Sequence, residues 1–358
     1  MNPSSVNELW SKLVSAGLTV GDMPATDEAH TPWYVRVMLG IAGVIAAGFL
    51  LGFVGMAFAF VIQSKLASFT VGLMIIAGAY AMFRLAPRND FTSMFALAIS
   101  FAGQALVIVG VFGFFERSMT TSSMPWATIA AIEALLAVVM PNFIHRAASA
   151  YAAGIAFAYA CGMSGAQFIA AGIAAAAVAS IWLNEARLGK LHAVVSPIGY
   201  GLTLCFIQIE GAALLGHSMA ALLRTGARPG GPPWIGEALV VTALIVSVWT
   251  LLGRAGWVPR ERRMILALIA AAAIGAASFK APGIAGGLMI ALLGFANGNR
   301  VLLGLGIAAL LAYVSGYYYL LDATLLVKSG VLAATGIVLI FTRWLVLNLV
   351  MPKERADA

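Results

Sequence analysis

Long apolar segments recur along almost the whole chain, and this pattern constrains the fold more than any other feature. Of the 358 residues, 62% are hydrophobic and only 10% are charged, whereas soluble domains are about one quarter charged. Backbone N–H and C=O groups in lipid need partners within their own segment, so these runs predict transmembrane α-helices. The predicted spans are 35–62, 66–83, 91–115, 124–140, 147–161, 164–184, 193–222, 234–253, 263–279, 283–297, 301–320 and 324–349. The expected fold class is an all-α, polytopic transmembrane helical bundle of about 12 spans.

The basic residues predict how this bundle is oriented. With both termini in the cytoplasm, 15 of the 21 Lys and Arg residues fall on the cytoplasmic side, as the positive-inside rule requires. The expected organisation is a cytoplasmic N-terminal segment at 1–33, a transmembrane helical domain at 34–350 and a cytoplasmic tail at 351–358. A short amphipathic helix is expected in the N-terminal segment, with an apolar face formed by Val6, Leu9, Trp10, Leu13 and Val14.

The sequence has no pattern typical of soluble enzymes or nucleic-acid-binding proteins. H-E-x-x-H, G-x-S-x-G and Walker-type motifs are absent from it. Its basic residues are scattered between apolar runs, so the net charge of +7 fits orientation in a bilayer better than a nucleic-acid partner. Cys161 and Cys205 both fall in predicted spans and show no metal-ligand spacing. We therefore expect no enzyme activity, no cofactor, no metal site and no nucleic-acid partner, and we expect the lipid bilayer to surround the chain.

Two stretches resemble a known family. They are "TPWYVRVMLGIAGVIAAGFLLGFVG" at 31–55 and "GGLMIALLGFANGNRVLLGLGIAALLAYVSGYYYLLDATLLVKSGVLAATG" at 286–336. Both are similar to the bacterial membrane-protein family named domain of unknown function 4401. The resemblance implies a bacterial inner-membrane protein, and it implies partners among the membrane proteins that are often encoded nearby. It transfers no catalytic or binding role to any residue.

Glu210, near the middle of the seventh span, is the first candidate for a functional side chain. A charged carboxylate at the centre of a membrane helix costs roughly 2.5–3.5 kcal/mol on insertion scales, so it must face protein or water. Gln208 lies beside it, and His217 follows two turns later on the same face, roughly 10 Å away at the helical rise per residue. Two interpretations stay open: a proton or cation site, and a structural glutamate that hydrogen bonds to a neighbouring helix.

Glu133, central in the fourth span, is the second carboxylate of this kind. It joins Glu210, Gln208 and His217 in the hypothesis of a proton or cation site, provided that the two helices meet around one cavity. Glu237 follows "PPW" in the first turn of the eighth span, where a negative charge favours the helix dipole. We interpret Glu237 as a capping residue.

Two further polar groups lie at the predicted span ends. Asp322, Lys328 and Tyr319 form a secondary polar cluster between the last two spans, where Asp322 can cap the final helix and Lys328 can snorkel to the interface. Asn297, Asn299 and Arg300 form a polar connection between spans 10 and 11. A cytoplasmic turn with an orienting arginine is the simple interpretation of this connection, and a contact with a lipid headgroup or an anion is the alternative.

Two functional hypotheses follow. The number of spans and the central carboxylates favour a proton- or ion-coupled secondary transporter. The neighbouring genes implied by the family, together with the absence of a substrate motif, favour a non-catalytic scaffold or assembly component that works with other membrane proteins.

Overall fold

The computed structural model describes residues 10–17, 59–85, 90–115, 122–214, 234–258 and 261–320, with isolated positions between 19 and 56 and at 326. Within these residues every regular element is helical. The helices are α1 (Ala59–Gln63), α2 (Lys65–Leu85), α3 (Asp90–Phe114), α4 (Met124–Val139), α5 (Phe143–Met163), α6 (Gln167–Leu183), α7 (His192–Leu214), α8 (Trp234–Arg254), α9 (Arg262–Ser278), α10 (Ile284–Ala296) and α11 (Arg300–Leu320). A 3-10 turn at Gly189–Leu191 precedes α7, and residues 10–15 are also helical.

The all-α prediction is confirmed for these residues, and α2 to α11 correspond to ten of the predicted spans. The predicted span 193–222 continues past the described end of α7 at Leu214, and the span 324–349 lies outside the described residues except at position 326. Five helices are long and apolar enough to cross a membrane: α2, α3, α7, α8 and α11. Four shorter apolar helices, α4, α6, α9 and α10, accompany them. The count of twelve spans and the orientation of the termini stay predictions.

Local sequence sets where several helices begin. Pro125 occupies the first turn of α4, where its missing N–H costs nothing because first-turn N–H groups have no helical partner. The Asn142 side chain accepts a hydrogen bond from the His145 N–H at the start of α5 (3.1 Å). Asn299 does the same for the Leu302 N–H at the start of α11 (3.1 Å). The Asn142 cap places His145 in the first turn of α5.

The helices pack around two apolar cores that share α5. The first core contains α2, α3, α4 and Ala156 of α5, with Phe83, Val107 and Met140 among its buried residues. The second contains α6, α7, α8 and α10 together with Ala158 of α5 and Leu302 of α11, with Trp182 and Phe206 as its largest buried side chains. Each core also encloses polar side chains, which are described below.

Close approach of α10 to α7 brings Glu210 to the start of α10. A methyl group added at Gly286 would lie 2.7 Å from the Phe206 ring and 3.6 Å from Glu210 Cγ. Such a distance to the ring is shorter than real Cβ contacts, so only glycine permits this approach. The backbone of α10 therefore forms one wall of the space around Glu210.

Candidate functional site

Two buried carboxyl groups, Glu210 and Glu237, are neighbours in the second core, and we call them the carboxylate pair. Glu210 lies in the last turns of α7 and is 2% exposed. Glu237 lies in the first turn of α8 and is 9% exposed. Ser278 and the first turn of α10 link them: Ser278 hydrogen bonds to Glu237 and to the Ala285 N–H, and a methyl group at Gly286 would lie 3.6 Å from Glu210 Cγ. Glu237 therefore contacts the end of α9 as well as belonging to the first turn of α8.

The end of α9 and the start of α10 surround the carboxylate pair. The Ser278 hydroxyl, at the end of α9, donates a hydrogen bond to Glu237 Oε1. The same Ser278 oxygen accepts the N–H of Ala285 in the first turn of α10 (3.2 Å). The Gly283 N–H, just before α10, donates to the Glu210 carboxyl group. The connection between α9 and α10 thus supplies hydrogen-bond donors to both members of the pair.

Gly283 and Tyr313 shape the wall beside Glu210. Gly283 has a φ of 94°, in the left-handed region that favours glycine. A methyl group at Gly283 would lie 2.8 Å from the Tyr313 ring. The hydroxyl of Tyr313, in α11, donates to the backbone carbonyl of Ile207 (2.8 Å). Glu210 is therefore enclosed by α10 and α11.

One oxygen of Glu210 has no partner among the residues that the structure describes. Oε2 is buried and accepts no hydrogen bond from any residue that the structure describes. Leaving a buried polar atom unpaired costs about 1–3 kcal/mol, and more when the atom is charged. A second carboxyl group nearby adds repulsion whenever both are ionised. The pair therefore has the electrostatic character of a site for a positive ion.

The first core encloses a different polar group, the His145 cluster, formed by Ser100, Gln104, Glu133, His145 and Ser149. Gln104 Nε2 donates to Glu133 Oε2 (3.2 Å) and to Ser149 Oγ (2.8 Å). Ser100 Oγ is 2.7 Å from His145 Nε2. Ser149 Oγ is 3.4 Å from His145 Nδ1 and also hydrogen bonds to the Glu133 carboxyl group. All five side chains are buried, and they come from α3, α4 and α5.

Aromatic rings cover the imidazole of His145. The Phe101 ring stacks on it, with centroids 5.5 Å apart and an interplanar angle of 16°. The Phe83 ring meets it edge to face at 6.5 Å. The rings and the Asn142 cap hold His145 in one orientation.

The structure places the two predicted central carboxylates in separate groups. The described polar partners of Glu133 lie on α3 and α5, while the groups near Glu210 are Glu237, Gly283 and Tyr313. Gln208 is exposed on another face of α7, where its Oε1 accepts the Tyr151 hydroxyl. It therefore belongs to neither group. His217 lies outside the described residues.

The other predicted polar residues have structural contacts where they are described. Asn297 donates to the Trp182 carbonyl at the end of α6 (2.7 Å). Asn299 exchanges hydrogen bonds with the Tyr200 hydroxyl (2.7 and 2.9 Å) while it caps α11. Arg300 begins α11 and is exposed. These contacts favour the interpretation of the loop as a structural turn.

The secondary cluster is described only at Tyr319, which is 81% exposed and packs edge to face against Tyr318 (5.7 Å). Asp322 and Lys328 lie outside the described residues.

A cavity of about 250 Å³ lies between α4, α5, α6 and α7. Its walls are small and apolar, with Gly154, Cys205 and Ile209 among them, and neither Glu133 nor Glu210 lines it. In the part of the chain that the structure describes, no group of three or more His, Cys, Asp or Glu side chains gathers as a metal site would require.

Sequence reasoning missed Ser100, Gln104, His145, Ser149 and Ser278. A usable signal was present, because Ser100 and Gln104, like His145 and Ser149, are four residues apart and so share a helix face. Polar pairs at this spacing in apolar helices indicate an inward-facing polar group.

The described residues form an all-helical fold with polar side chains inside it, and five of its helices are long and apolar enough for a membrane. These features define a helical membrane protein. The model of the family described as domain of unknown function (DUF4401) matches residues 32–349, and the protein belongs to this family. The resemblance found in the two sequence stretches is thereby confirmed. No curated protein and no solved structure matches the chain.

Proposed function

We propose that the protein is a multi-pass protein of the bacterial inner membrane that acts as a proton- or cation-coupled secondary transporter. Glu210 and Glu237 hold the coupling ion. The observation that carries this proposal is the buried, unpartnered Oε2 of Glu210 beside a second buried carboxyl group, within the described residues.

Electrostatics favours a bound positive ion at this position. Two ionised carboxylates in a site of low dielectric constant repel one another, and neither is compensated by a basic side chain in the contacts described for the pair. A proton or a hard cation removes the repulsion, and hard cations prefer oxygen ligands. Carboxyl oxygens of Glu210 and Glu237 and the Ser278 hydroxyl are such ligands.

Helix geometry supports the same proposal. α10 has 13 residues, about 20 Å of helix, which is short of the roughly 30 Å hydrocarbon core. Around the connection between α9 and α10, the Gly283 N–H donates to Glu210, and Ser278, which accepts the Ala285 N–H, donates to Glu237. Many secondary transporters bind ions and substrates where helices are interrupted in this way. Movement of the connection between α9 and α10 would expose or bury the ion.

Ion flux through reconstituted protein tests the proposal. Liposomes that contain the purified chain and an internal pH dye are exposed to a panel of amino acids, sugars, organic anions and organic cations, with and without a sodium gradient. We expect at least one panel member to drive proton or sodium entry faster than in protein-free liposomes. Glu210→Gln removes this flux, because the amide neither titrates nor neutralises a cation.

Glu185→Gln is the matched control. Glu185 follows α6 and contacts His192 at 3.9 Å, outside both polar groups, so its variant keeps the flux. Size-exclusion profiles and thermal unfolding curves verify that each variant is folded. Wild-type protein that is silent across the panel, or flux that survives in folded Glu210→Gln, contradicts the proposal. Silence together with stoichiometric capture of other membrane proteins would favour the scaffold hypothesis.

A further inference from the structure

The His145 cluster contains a chain of hydrogen bonds that joins an acid to a base. Ser149 contacts the Glu133 carboxyl group on one side and lies 3.4 Å from His145 Nδ1 on the other. We propose that the Ser149 hydroxyl passes a proton between the Glu133 carboxyl group and His145 Nδ1, so that the cluster is a proton relay separate from the carboxylate pair. This inference does not depend on the proposed transport activity.

Gln104 determines which hydrogens are available for the relay. A primary amide nitrogen carries two hydrogens, and the two shortest contacts of Gln104 Nε2 are with Ser149 Oγ (2.8 Å) and Glu133 Oε2 (3.2 Å), ahead of His145 Nε2 (3.3 Å). Ser149 therefore accepts a hydrogen bond from Gln104 and keeps its own hydroxyl hydrogen for one of two acceptors. Those acceptors are Glu133 and His145.

Ser100 makes the shortest contact with His145 Nε2. This nitrogen lies 2.7 Å from Ser100 Oγ and 3.3 Å from Gln104 Nε2, and the relay uses the tautomer in which Nε2 donates its N–H to Ser100. A neutral imidazole with its hydrogen on Nε2 has a free lone pair on Nδ1. His145 Nδ1 is therefore ready to accept a proton from Ser149.

The transfer balances within the cluster. The O–H bond of Glu133 breaks as its proton moves to Ser149 Oγ, and the original O–H bond of Ser149 breaks as that proton moves to His145 Nδ1. Glu133 becomes a carboxylate that accepts from Gln104 and Ser149, and His145 becomes an imidazolium that donates from both nitrogens. No water or other reactant is consumed, and the net charge is unchanged.

The surroundings accommodate both positions of the proton. The Phe101 ring, stacked at 5.5 Å, presents its face to the imidazolium, and aromatic faces attract cations. Arg146, the next residue along α5, points away, because its guanidinium donates to the carbonyls of Ala193 (2.6 Å) and Val138 (3.4 Å). Arg84, at the end of α2, interacts electrostatically with Arg146. Since the transfer leaves the net charge of the cluster unchanged, temperature is a suitable means of shifting it.

Two spectroscopic signals of the full chain in lipid nanodiscs test the relay as temperature is varied. The first is the ¹⁵N resonance of His145, assigned among the 4 histidines by its loss in His145→Asn. The second is the infrared band of the protonated Glu133 carboxyl group, assigned by its loss in Glu133→Gln. We expect imidazolium to appear in equal amount to the carboxylic acid that disappears. Ser149→Ala abolishes this coupled change, and Ser149→Thr, which retains a hydroxyl, restores it.

Ser247→Ala is the matched control. Ser247 is a buried helix serine whose hydroxyl donates to the Ala243 carbonyl in α8, and its removal leaves the coupled change intact. Independent changes of the two signals, no change in the wild type, or a coupled change that persists in Ser149→Ala would each overturn the proposal. If Ser149→Ala does not fold, Ser149→Thr and Ser149→Cys decide the matter, because the relay needs the hydroxyl and a thiol donates hydrogen bonds only weakly.

Discussion

The protein buries two glutamates to the same extent, but their neighbouring groups differ. Glu133 and Glu210 are each 2% exposed and each lie in an apolar helix. Glu133 receives an amide hydrogen bond and contacts a hydroxyl in the His145 cluster. Glu210 has a second carboxyl group beside it, and its Oε2 has no hydrogen-bond donor among the described residues. Equal burial therefore does not mean equal chemistry.

The two groups also lie towards opposite ends of the bundle. Arg146, in the first turn of α5, contacts Ala193, at the start of α7, so these helices begin at the same end. His145 is near that end, whereas Glu210 is in the last turns of α7. The His145 cluster satisfies its members through one another, while the proposed function needs a positive ion to complete the carboxylate pair. Mutations can therefore test separately whether the His145 cluster is stable by itself and whether the carboxylate pair depends on an ion.

Gly283→Val is expected to lower stability the most. It changes the surroundings of the carboxylate pair and leaves the His145 cluster untouched. The valine Cβ would lie 2.8 Å from the Tyr313 ring at a residue with a φ of 94°. Left-handed strain costs about 1–3 kcal/mol and forced overpacking typically costs about 1–3 kcal/mol more. We expect a large fall in thermal unfolding temperature in detergent, with the His145 ¹⁵N signal unchanged in the fraction that folds.

Gly298→Val separates strain from crowding in that result. Gly298 has a φ of 63° but open space around its Cβ position. We expect its variant to lose only about 1–2 kcal/mol, from the left-handed conformation. Equal losses for Gly283→Val and Gly298→Val would show that the Tyr313 contact does not enclose Glu210.

The next effect compares Glu133→Leu with Glu210→Leu. Leucine at 133 removes an acceptor of the Gln104 amide, and a buried unsatisfied group costs about 1–3 kcal/mol. Leucine at 210 removes the acceptor of the Gly283 N–H, but also a carboxyl group whose Oε2 has no partner among the described residues and its repulsion with Glu237. Apolar replacements of buried charged groups are often neutral or stabilising. We therefore expect opposite signs in the change of unfolding temperature.

Added ions sharpen this second comparison. A ligand that binds only the folded state stabilises it by about 2.7 kcal/mol at a hundred times its dissociation constant. If the coupling ion is sodium, added sodium raises the unfolding temperature of the wild type and of Glu133→Leu, but not that of Glu210→Leu. A sodium effect that persists in Glu210→Leu would place the ion elsewhere.

The helices were accessible to sequence reasoning, because apolar runs bounded by polar or proline residues determine them locally. α4 begins at Met124 and α8 at Trp234, as the sequence predicts. The apolar runs do not predict which helices contact one another. The prediction that Glu133 and Glu210 could line one cavity needed α4 and α7 to meet at those residues. In the structure the polar partners of Glu133 come from other helices.

Glu237 illustrates a second limit of sequence reasoning. Its position in the first turn of α8 is correctly read from the sequence. Its contact with Ser278 joins residues that are 41 positions apart in the sequence. Helical periodicity does not predict contacts at such a separation. His145 was missed for a related reason, since its role arises from three helices and only the pairs at four-residue spacing were visible.

The smallest effect is expected from Phe101→Leu, which tests whether the His145 cluster is complete without its ring. An aromatic pair contributes about 0.5–1.5 kcal/mol beyond the area it buries, so the loss of stability is modest. The ring face favours the imidazolium, and its removal shifts the cluster towards neutral His145 and protonated Glu133 in the ¹⁵N and infrared signals. Phe112→Leu is the control, because Phe112 packs edge to face on Trp126 at 5.1 Å and its loss should lower stability comparably without moving either signal. An unchanged proton distribution in Phe101→Leu would mean that hydrogen bonds alone set the state of His145.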